Sequence, residues 1–421
     1  MIKKWLIGTE QSVKKSSFIW NAIGAAFNAG QSAVVLFFVT HVFGLEMAGI
    51  VTIGYAIANL FQTMGRYGIR NYQVTDTKER FTFSDYFFCR IITVGATFII
   101  AVIYLILCRN FADYSLEKTI IIFEVVILKL VDAFAEVYIG RYQQMGRLDI
   151  GAKIHAMELM LSTAAMCIML FLGIHLYWSV LAGIIVTFLV NLVGFHYTLS
   201  LVDARVKQVC ARNIRTLLRI GISLCIGLTL YMYIGNAPKY LIDLYMDERS
   251  QAIFGYVMMP MFVITLLNNF LLQPVLKELG DVWGKADIPK FKKMVLRQYI
   301  VIWGMALVVL LAGLWLGLPL LSVFYGVELT GYGREFGFLM IGATFYTVAY
   351  YMSVVLTTIR RQNLIVVGYV AAVGVYLFLG GTFIRTWGML GAAYLYLIAN
   401  ALTALMFTLF VIQGIRRYQN I

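Results

Sequence analysis

Apolar residues run in twelve stretches of about 20 residues or more, separated by short polar connections. A helix that crosses roughly 30 Å of hydrocarbon needs about 20 apolar residues. In lipid the backbone must satisfy its own hydrogen bonds, so these stretches are predicted to be helices rather than strands. The pattern predicts an all-α integral membrane protein with about twelve transmembrane helices. The predicted spans are 17–42, 45–65, 86–108, 116–139, 154–174, 177–201, 217–235, 251–273, 296–318, 337–358, 364–383 and 389–413.

The composition agrees with this class and leaves no room for a soluble domain. The chain is 61% hydrophobic and 13% charged, whereas soluble domains carry about 25% charged residues. No connection is long enough to bury a core of its own, so the function must lie in the helices. We expect a cytoplasmic amphipathic segment at 1–16, an N-lobe of six helices at 17–201, a basic cytoplasmic loop at 202–216 and a C-lobe of six helices at 217–421.

The net charge of +13 follows from the predicted topology. Most of the 34 lysines and arginines flank connections on one side of the membrane. The other side carries only Arg109, Lys118, Lys239, Arg249, Arg334 and Arg385. Cytoplasmic loops hold the excess of Lys and Arg. Both termini are therefore predicted to be cytoplasmic, and no nucleic-acid partner is expected.

The N-terminus does not predict a cleaved export signal, and the cysteines predict neither disulfides nor a metal site. The first apolar stretch is too long for the apolar region of a cleaved export signal. The five cysteines are scattered without a C-x-x-C pair, so neither disulfides nor a metal site is predicted.

Polar side chains form stripes on the first two spans. On the first, Asn21, Asn28 and Gln31 share one helix face, and Asn59 and Arg66 share a face of the second. Polar residues inside membrane helices line a cavity or join helices by hydrogen bonds. Two neighbouring stripes favour a water-filled cavity, although helix packing remains open for each single residue.

The fourth span carries an unusual number of charges. Glu124 is followed by Lys129, Asp132 and Glu136, and the last three share one face. At 1.5 Å per residue, Lys129 lies about 20 Å from the outer end of the span and hence near the midplane. It either pairs with Asp132 one turn away or serves a solvated cavity.

The sequence lacks the motifs that are typical of several other classes of protein. It has no Walker A sequence, no H-E-x-x-H helix and no potassium-channel filter, and we expect no cofactor. A secondary transporter or a passive flippase remains. The candidates for ion coupling are Glu124, Asp132, Glu136 and Asp243.

The chain resembles the polysaccharide transporters, or O-antigen flippases, of the multidrug, oligosaccharidyl-lipid and polysaccharide (MOP) exporter superfamily. The resemblance covers essentially the whole chain. It rests on the two six-helix halves and on four segments: Ser17 to Asn21 after a basic N-terminus, Phe43 to Ile50, Tyr67 to Arg70, and Ala237 to Asp243.

The resemblance implies a function, a transport mode and a set of partners. Members translocate undecaprenyl-pyrophosphate-linked oligosaccharides across the bacterial cytoplasmic membrane for O-antigen, capsule or exopolysaccharide assembly, by alternating access through a central polar cavity. Such a protein is not an enzyme. Its partners are the lipid-linked oligosaccharide, membrane lipids, a polysaccharide polymerase and a chain-length regulator. The cavity candidates in this chain are Asn21, Asn28, Gln31, Asn59, Arg66, Arg70, Arg90, Lys129 and Lys239.

The match has one departure, because the helix that carries Lys129 is net acidic. Pyrophosphate binding is therefore expected to rely on Arg66, Arg90 and Lys239 instead. Lipid II flippases of the same superfamily have two further helices, which the chain lacks.

Two other functions stay open. A MATE-like drug or metabolite antiporter would use the same architecture, driven by a cation through Asp132 and Glu136. A membrane-embedded glycosyl polymerase or ligase usually carries a large extracytoplasmic loop, whereas the longest outer connection here, 235–250, is short.

Overall fold

The computed structural model describes residues 2–7, 13–76, 79–202, 204 and 209–419, and these residues form helices and no strand. The α-helices in chain order are α1 (Ile2–Ile7), α2 (Val13–Arg66), α3 (Ile69–Thr75), α4 (Phe83–Phe111), α5 (Leu116–Gln144), α6 (Leu148–Phe171), α7 (Leu176–Thr198), α8 (Ala211–Tyr245), α9 (Glu248–Met258), α10 (Met261–Gly284), α11 (Ile288–Ala312), α12 (Leu318–Tyr325), α13 (Gly333–Thr358) and α14 (Asn363–Gln419). A π-helical turn, Gly313–Gly317, joins α11 to α12.

Two helices are long enough to cross a membrane twice. α2 has 54 residues and α14 has 57, and each is interrupted by one residue of non-helical backbone. These residues are Gly44, with φ 85°, and Gly388, with φ 56°. Glycine adopts positive φ without the steric cost that a Cβ atom brings. Each long helix therefore divides at its glycine into two membrane-crossing parts.

The predicted spans fall on these helices. Eight helical segments of the described chain qualify as spans by length and hydropathy alone, and two of them are the double-length segments that contain α2 and α14. α5 is not among the eight, because it carries too many charged residues, although it is apolar enough. The span predicted at 251–273 is broken between α9 and α10, where Pro260 lies. The prediction of an all-α, multi-pass membrane protein is confirmed.

The chain forms two compact units, Met1–Thr229 and Leu230–Ile421, with the boundary inside α8. In the first unit α2 packs against α4, α5 and α6, and α5 also contacts α3, α4, α6 and α7. α5 is thus enclosed by its neighbours. Its charged face, with Lys129, Asp132 and Glu136, is buried, so these charges need partners on the surrounding helices.

The second unit has a core rich in tyrosine. α13 packs against α14, α10 and α11, and the rings of Tyr231 and Tyr346 stack at 4.5 Å with an interplanar angle of 9°. The hydroxyls of Thr344 and Thr347 on α13 donate to carbonyls of their own helix. Ring packing and hydrogen bonds within one helix therefore account for these four side chains.

The N-terminal segment contributes the short helix α1. Lys153 on α6 donates to the carbonyls of Trp5 at 3.0 Å and Leu6 at 3.1 Å, and Arg147 donates to that of Ile7. A cation at the last carbonyls of a helix is favourable, so α1 is held against α6. In the predicted segment 1–16, Met1 and residues 8–12 lie outside the described residues, as do 203 and 205–208 of the predicted loop 202–216.

The topology can be tested at two glycines. Gly284 and Gly331 are both exposed, and a Cβ atom added at either meets no other atom within 4 Å. In a cysteine-free background, Gly284→Cys should be shielded from an impermeant thiol reagent in intact cells, because it lies in the basic connection between the predicted spans 251–273 and 296–318, which the positive-inside rule places in the cytoplasm. Gly331→Cys should react. Labelling of Gly284→Cys from outside would overturn the assignment.

Candidate functional site

A group of charged side chains from five helices lies inside the first unit. We call it the buried charge cluster; it comprises Arg66, Arg70, Arg90, Lys129, Asp132, Glu136, His155 and Glu158. Arg66 ends α2, Arg70 lies on α3 and Arg90 on α4, while α5 and α6 supply the remaining five residues. Burying charges costs free energy unless they are paired.

Glu136 is the point where three arginines meet. Its Oε2 accepts from Arg90 Nη2 at 3.0 Å, and its Oε1 lies 3.6 Å from Arg66 Nε and 3.9 Å from Arg70 Nη1. Arg90 also donates to the carbonyl of Gly65 at 2.9 Å. The arginines differ in access: the Arg90 side chain is 1% exposed, whereas those of Arg66 and Arg70 are each 30% exposed.

Asp132 and Lys129 find separate partners on α2. Arg66 Nη2 donates to Asp132 Oδ2 at 2.8 Å, and the Gln62 amide donates to the same oxygen. Lys129 Nζ donates to Gln31 Oε1 at 2.8 Å, and the Gln31 amide donates onward to Thr163 at 3.1 Å. The two α5 residues therefore pair across helices rather than with each other, although they lie one turn apart.

Asp132, His155 and Glu158 form the second part of the cluster, which we call the triad. His155 Nδ1 lies 3.3 Å from Asp132 Oδ1 and 3.6 Å from Glu158 Oε2. One ligand atom from each residue lies within 4.8 Å of the other two. None of these three atoms has a hydrogen-bond partner in the part of the chain that the structure describes, and all are buried. On distance alone the triad would admit a metal ion, but Arg66 and Lys129 place positive charge beside it.

The other candidates of the sequence analysis lie in different surroundings. Asn21 and Asn28 are exposed on the first part of α2, and Asn59 is half-buried on its second part. Glu124 lies two turns before Asp132 on α5, with its Oε2 atom buried. Lys239 is buried and Asp243 half-buried, one turn apart on α8, and both belong to the second unit.

Sequence reasoning missed two members of the cluster, His155 and Glu158. Both lie near the start of the fifth predicted span, three residues apart and hence on one helix face. An ionisable pair inside an apolar stretch is a functional candidate by default, so this signal was present in the sequence. Asn191, buried on α7, was missed as well.

The helices define a multi-pass membrane protein, and the cluster places charged side chains inside its first unit. The sequence profile of a family described as polysaccharide biosynthesis protein matches residues 15–279, more than half of the chain. The chain belongs to this family, which confirms the resemblance found in the sequence. The solved structures that share its fold are those of transporters and flippases. No protein of curated function matches the chain by sequence.

Solved structures share the fold at low identity. An inward-facing multidrug resistance MATE family transporter of the MOP superfamily aligns with a TM-score of 0.71 and 12% identity over 95% of this chain and 99% of that chain. The lipid II flippase MurJ, in an inward closed conformation, aligns at 0.70 and 14% over 94% and 89%. A MOP superfamily transporter from Pyrococcus furiosus aligns at 0.59 and 12% over 98% of both chains. The chain therefore has the MOP transporter fold.

The Arg90 ion pair should be essential for stability. Arg90→Ala removes the closest partner of Glu136 and leaves a buried carboxylate short of positive charge, which costs about 3–5 kcal/mol. We expect a clearly lower melting temperature for the detergent-purified variant. Arg109→Ala, at an exposed arginine of the same helix, is the control and should melt like the parent. Equal melting of all three proteins would show that Glu136 does not need Arg90.

Proposed function

We propose that the protein is a flippase or exporter that translocates undecaprenyl-pyrophosphate-linked oligosaccharides across the bacterial cytoplasmic membrane, for O-antigen, capsule or exopolysaccharide assembly. The observation that carries the proposal is the positive excess of the buried charge cluster. Four cationic side chains, on Arg66, Arg70, Arg90 and Lys129, meet three carboxylates there. This excess occurs in a polysaccharide biosynthesis family member with a transporter fold.

The chemistry of the cargo fits this charge. A diphosphate and a hydrated sugar pay several kcal/mol for each polar group that hydrocarbon leaves unsatisfied. Guanidinium groups bind phosphate oxygens through paired N–H donors. Arg66 and Arg70 are partly exposed, so we assign them to the pyrophosphate. Arg90 is fully buried and paired, so we assign it to positioning Glu136 rather than to direct contact.

Arg70 has the weakest hold on the cluster. Its closest approach to Glu136 is 3.9 Å, and its one short contact among the described residues is a donated hydrogen bond to Gln143 Oε1 at 2.9 Å. A phosphate that binds Arg70 would have to replace only the long contact with Glu136 and the hydrogen bond to Gln143. For the sugar we retain the exposed amides of Asn21 and Asn28, together with Asn59, as hydrogen-bonding groups. Lys239 of the second unit remains a candidate for the same cargo.

The remaining features of the proposal are the transport mode and the cellular setting. We propose alternating access, with the polyprenyl tail left in the lipid because it needs no polar shelter. We place both termini in the cytoplasm, on the basis of the positive-inside rule. A polysaccharide polymerase and a chain-length regulator are the proposed protein partners.

The second candidate is a MATE-like, cation-coupled antiporter of drugs or metabolites. The likeness to a multidrug MATE transporter and the buried carboxylates favour it. A cationic drug, however, would meet Arg66 and Arg70 at the accessible side of the cluster, and like charges repel. The sign of the exposed charge therefore favours an anionic cargo.

Arg70 offers a direct test in cells. Arg70→Ala should slow export of the lipid-linked glycan by about tenfold to a hundredfold, since a charge-assisted hydrogen bond contributes about 1.5–3 kcal/mol. Lipid-linked oligosaccharide should accumulate in the inner leaflet while the surface glycan falls. Arg70→Lys keeps the charge and should retain part of the activity.

The matched control is Arg215→Ala, at an exposed arginine of α8. It should export normally at the same protein level. Normal export by Arg70→Ala would remove Arg70 from the substrate contacts. An unchanged pool of lipid-linked glycan after deletion of the gene would contradict the proposed function itself.

A further inference from the structure

A groove with an apolar floor and a basic end lies in the second unit. It runs between α11 and α14, both of which pack against α13, and it encloses about 390 Å³. Met352 of α13 and Val411 of α14 are buried in its floor. Leu296 of α11 and Ile412 of α14 line it with exposed side chains. These four residues, with Lys292 and Arg416 at the basic end, define what we call the α11–α14 groove.

The two cations lie at one end of the groove. Lys292 is near the start of α11 and Arg416 near the end of α14, and the predicted topology places both of these helix ends on the cytoplasmic side. The groove extends from there to Tyr299 on α11 and Thr408 on α14. At 1.5 Å per residue these distances along the helices are about 10 and 12 Å. The groove therefore reaches from the membrane surface into the hydrocarbon.

The sequence around the groove is basic and lacks acidic residues. Residues 288–312, 352–363 and 404–419 contain lysines and arginines but neither Asp nor Glu. Lys290 of α11 is paired with Glu278 of α10 at 3.2 Å. The side chain of Arg361, just after α13, lies against Gly414 of α14 and adds a further cation near the groove. A basic pocket between membrane helices on the cytoplasmic side is typical of a site for an anionic lipid head group.

We propose that the α11–α14 groove binds an anionic phospholipid of the cytoplasmic leaflet, with one acyl chain over Met352 and the phosphate held by Lys292 and Arg416. The chain contributes shape rather than a hydrophobic driving force, because lipid tails are as apolar as the groove walls. The head group provides the selectivity, since hydrogen bonds from Lys and Arg to phosphate are charge-assisted and strong. This lipid site does not depend on the proposed cargo.

The size of the groove favours a resident lipid over the cargo. A volume of about 390 Å³ is near the lower end of the range for small-ligand sites. The groove therefore has room for part of one chain and none for a hydrated oligosaccharide. The charge complementarity lies between its basic end and a single phosphate group, which every anionic phospholipid carries.

Native mass spectrometry of the full-length, delipidated protein can measure the site directly. Phosphatidylglycerol and phosphatidylcholine with the same acyl chains would be titrated in parallel. The parent should bind the first phosphatidylglycerol at least about tenfold more tightly than phosphatidylcholine. The double variant Lys292→Ala with Arg416→Ala should lose this preference, because both partners of the phosphate are removed. Equal affinity of the parent for the two lipids would overturn the proposal.

The matched control is the double variant Lys293→Ala with Arg417→Ala. Both residues are exposed and follow the groove cations by one position on the same helices, but neither is among the described residues that line the groove. The control removes the same charge and should keep the preference for phosphatidylglycerol. An equal loss in the two double variants would indicate diffuse attraction to a basic surface and would overturn the groove as the site.

The acyl chain is tested separately from the head group. Ile412→Trp narrows the groove and keeps both cations, so it should weaken the binding of phosphatidylglycerol at least about fivefold. Its control is Ile398→Trp on the same helix, because Ile398 and Ile412 are both 41% exposed. The control should bind like the parent. Unchanged binding by Ile412→Trp would show that no chain occupies the groove.

The same spectra distinguish two other occupants. Polyprenyl phosphate that displaces phosphatidylglycerol when both are present at equal concentration would assign the groove to the cargo and overturn the proposal. A dimer of the parent that separates in Ile412→Trp would assign it to a second copy of the chain, with the same consequence. The proposal predicts a monomer that retains phosphatidylglycerol against polyprenyl phosphate.

Discussion

The convergence of three arginines on Glu136 is the interaction on which the first unit depends. Arg90, Arg66 and Arg70 approach this carboxylate at 3.0, 3.6 and 3.9 Å from three different helices. A buried charge that loses its partner costs more than most single contacts contribute. The end of α2, the short α3 and the N-terminal part of α4 are therefore fixed around α5. Without Glu136, three cations would face one another in a site of low dielectric.

Under the proposed function, the binding of a phosphate group would exchange one anionic partner of an arginine for another and would not bury a new unpaired charge. Arg90 stays on Glu136, while the more exposed Arg66 and Arg70 can turn from carboxylate to phosphate. Each guanidinium keeps an anionic partner in both states, so neither state leaves it unpaired. A carrier must bind its cargo firmly enough to select it and weakly enough to release it. Under the proposed function, competition from Glu136 and Asp132 for the arginines would limit the affinity for the cargo.

Much of the fold could be predicted from the sequence because apolar length and charge asymmetry are local signals. The shared face of Lys129, Asp132 and Glu136 was also readable, since spacing along one helix fixes which side chains lie together. The partners of these charged side chains on other helices could not be predicted from the sequence. The spacing places Asp132 one turn from Lys129. In the folded protein, however, Asp132 accepts a hydrogen bond from Arg66, and Lys129 donates one to Gln31. His155 and Glu158 were overlooked because the surrounding stretch is apolar enough to pass as an ordinary span.

Transport by the purified protein in lipid vesicles tests the central claim most directly. The cargo would be a polyprenyl-pyrophosphate-linked disaccharide, followed by its accessibility to an impermeant glycan-modifying reagent. Two comparison cargoes are the same glycolipid with a monophosphate and a lipophilic drug cation. The account predicts rapid translocation of the pyrophosphate form, slower movement of the monophosphate form and none of the cation. Export of the cation, with the pyrophosphate form left in its original leaflet, would contradict it.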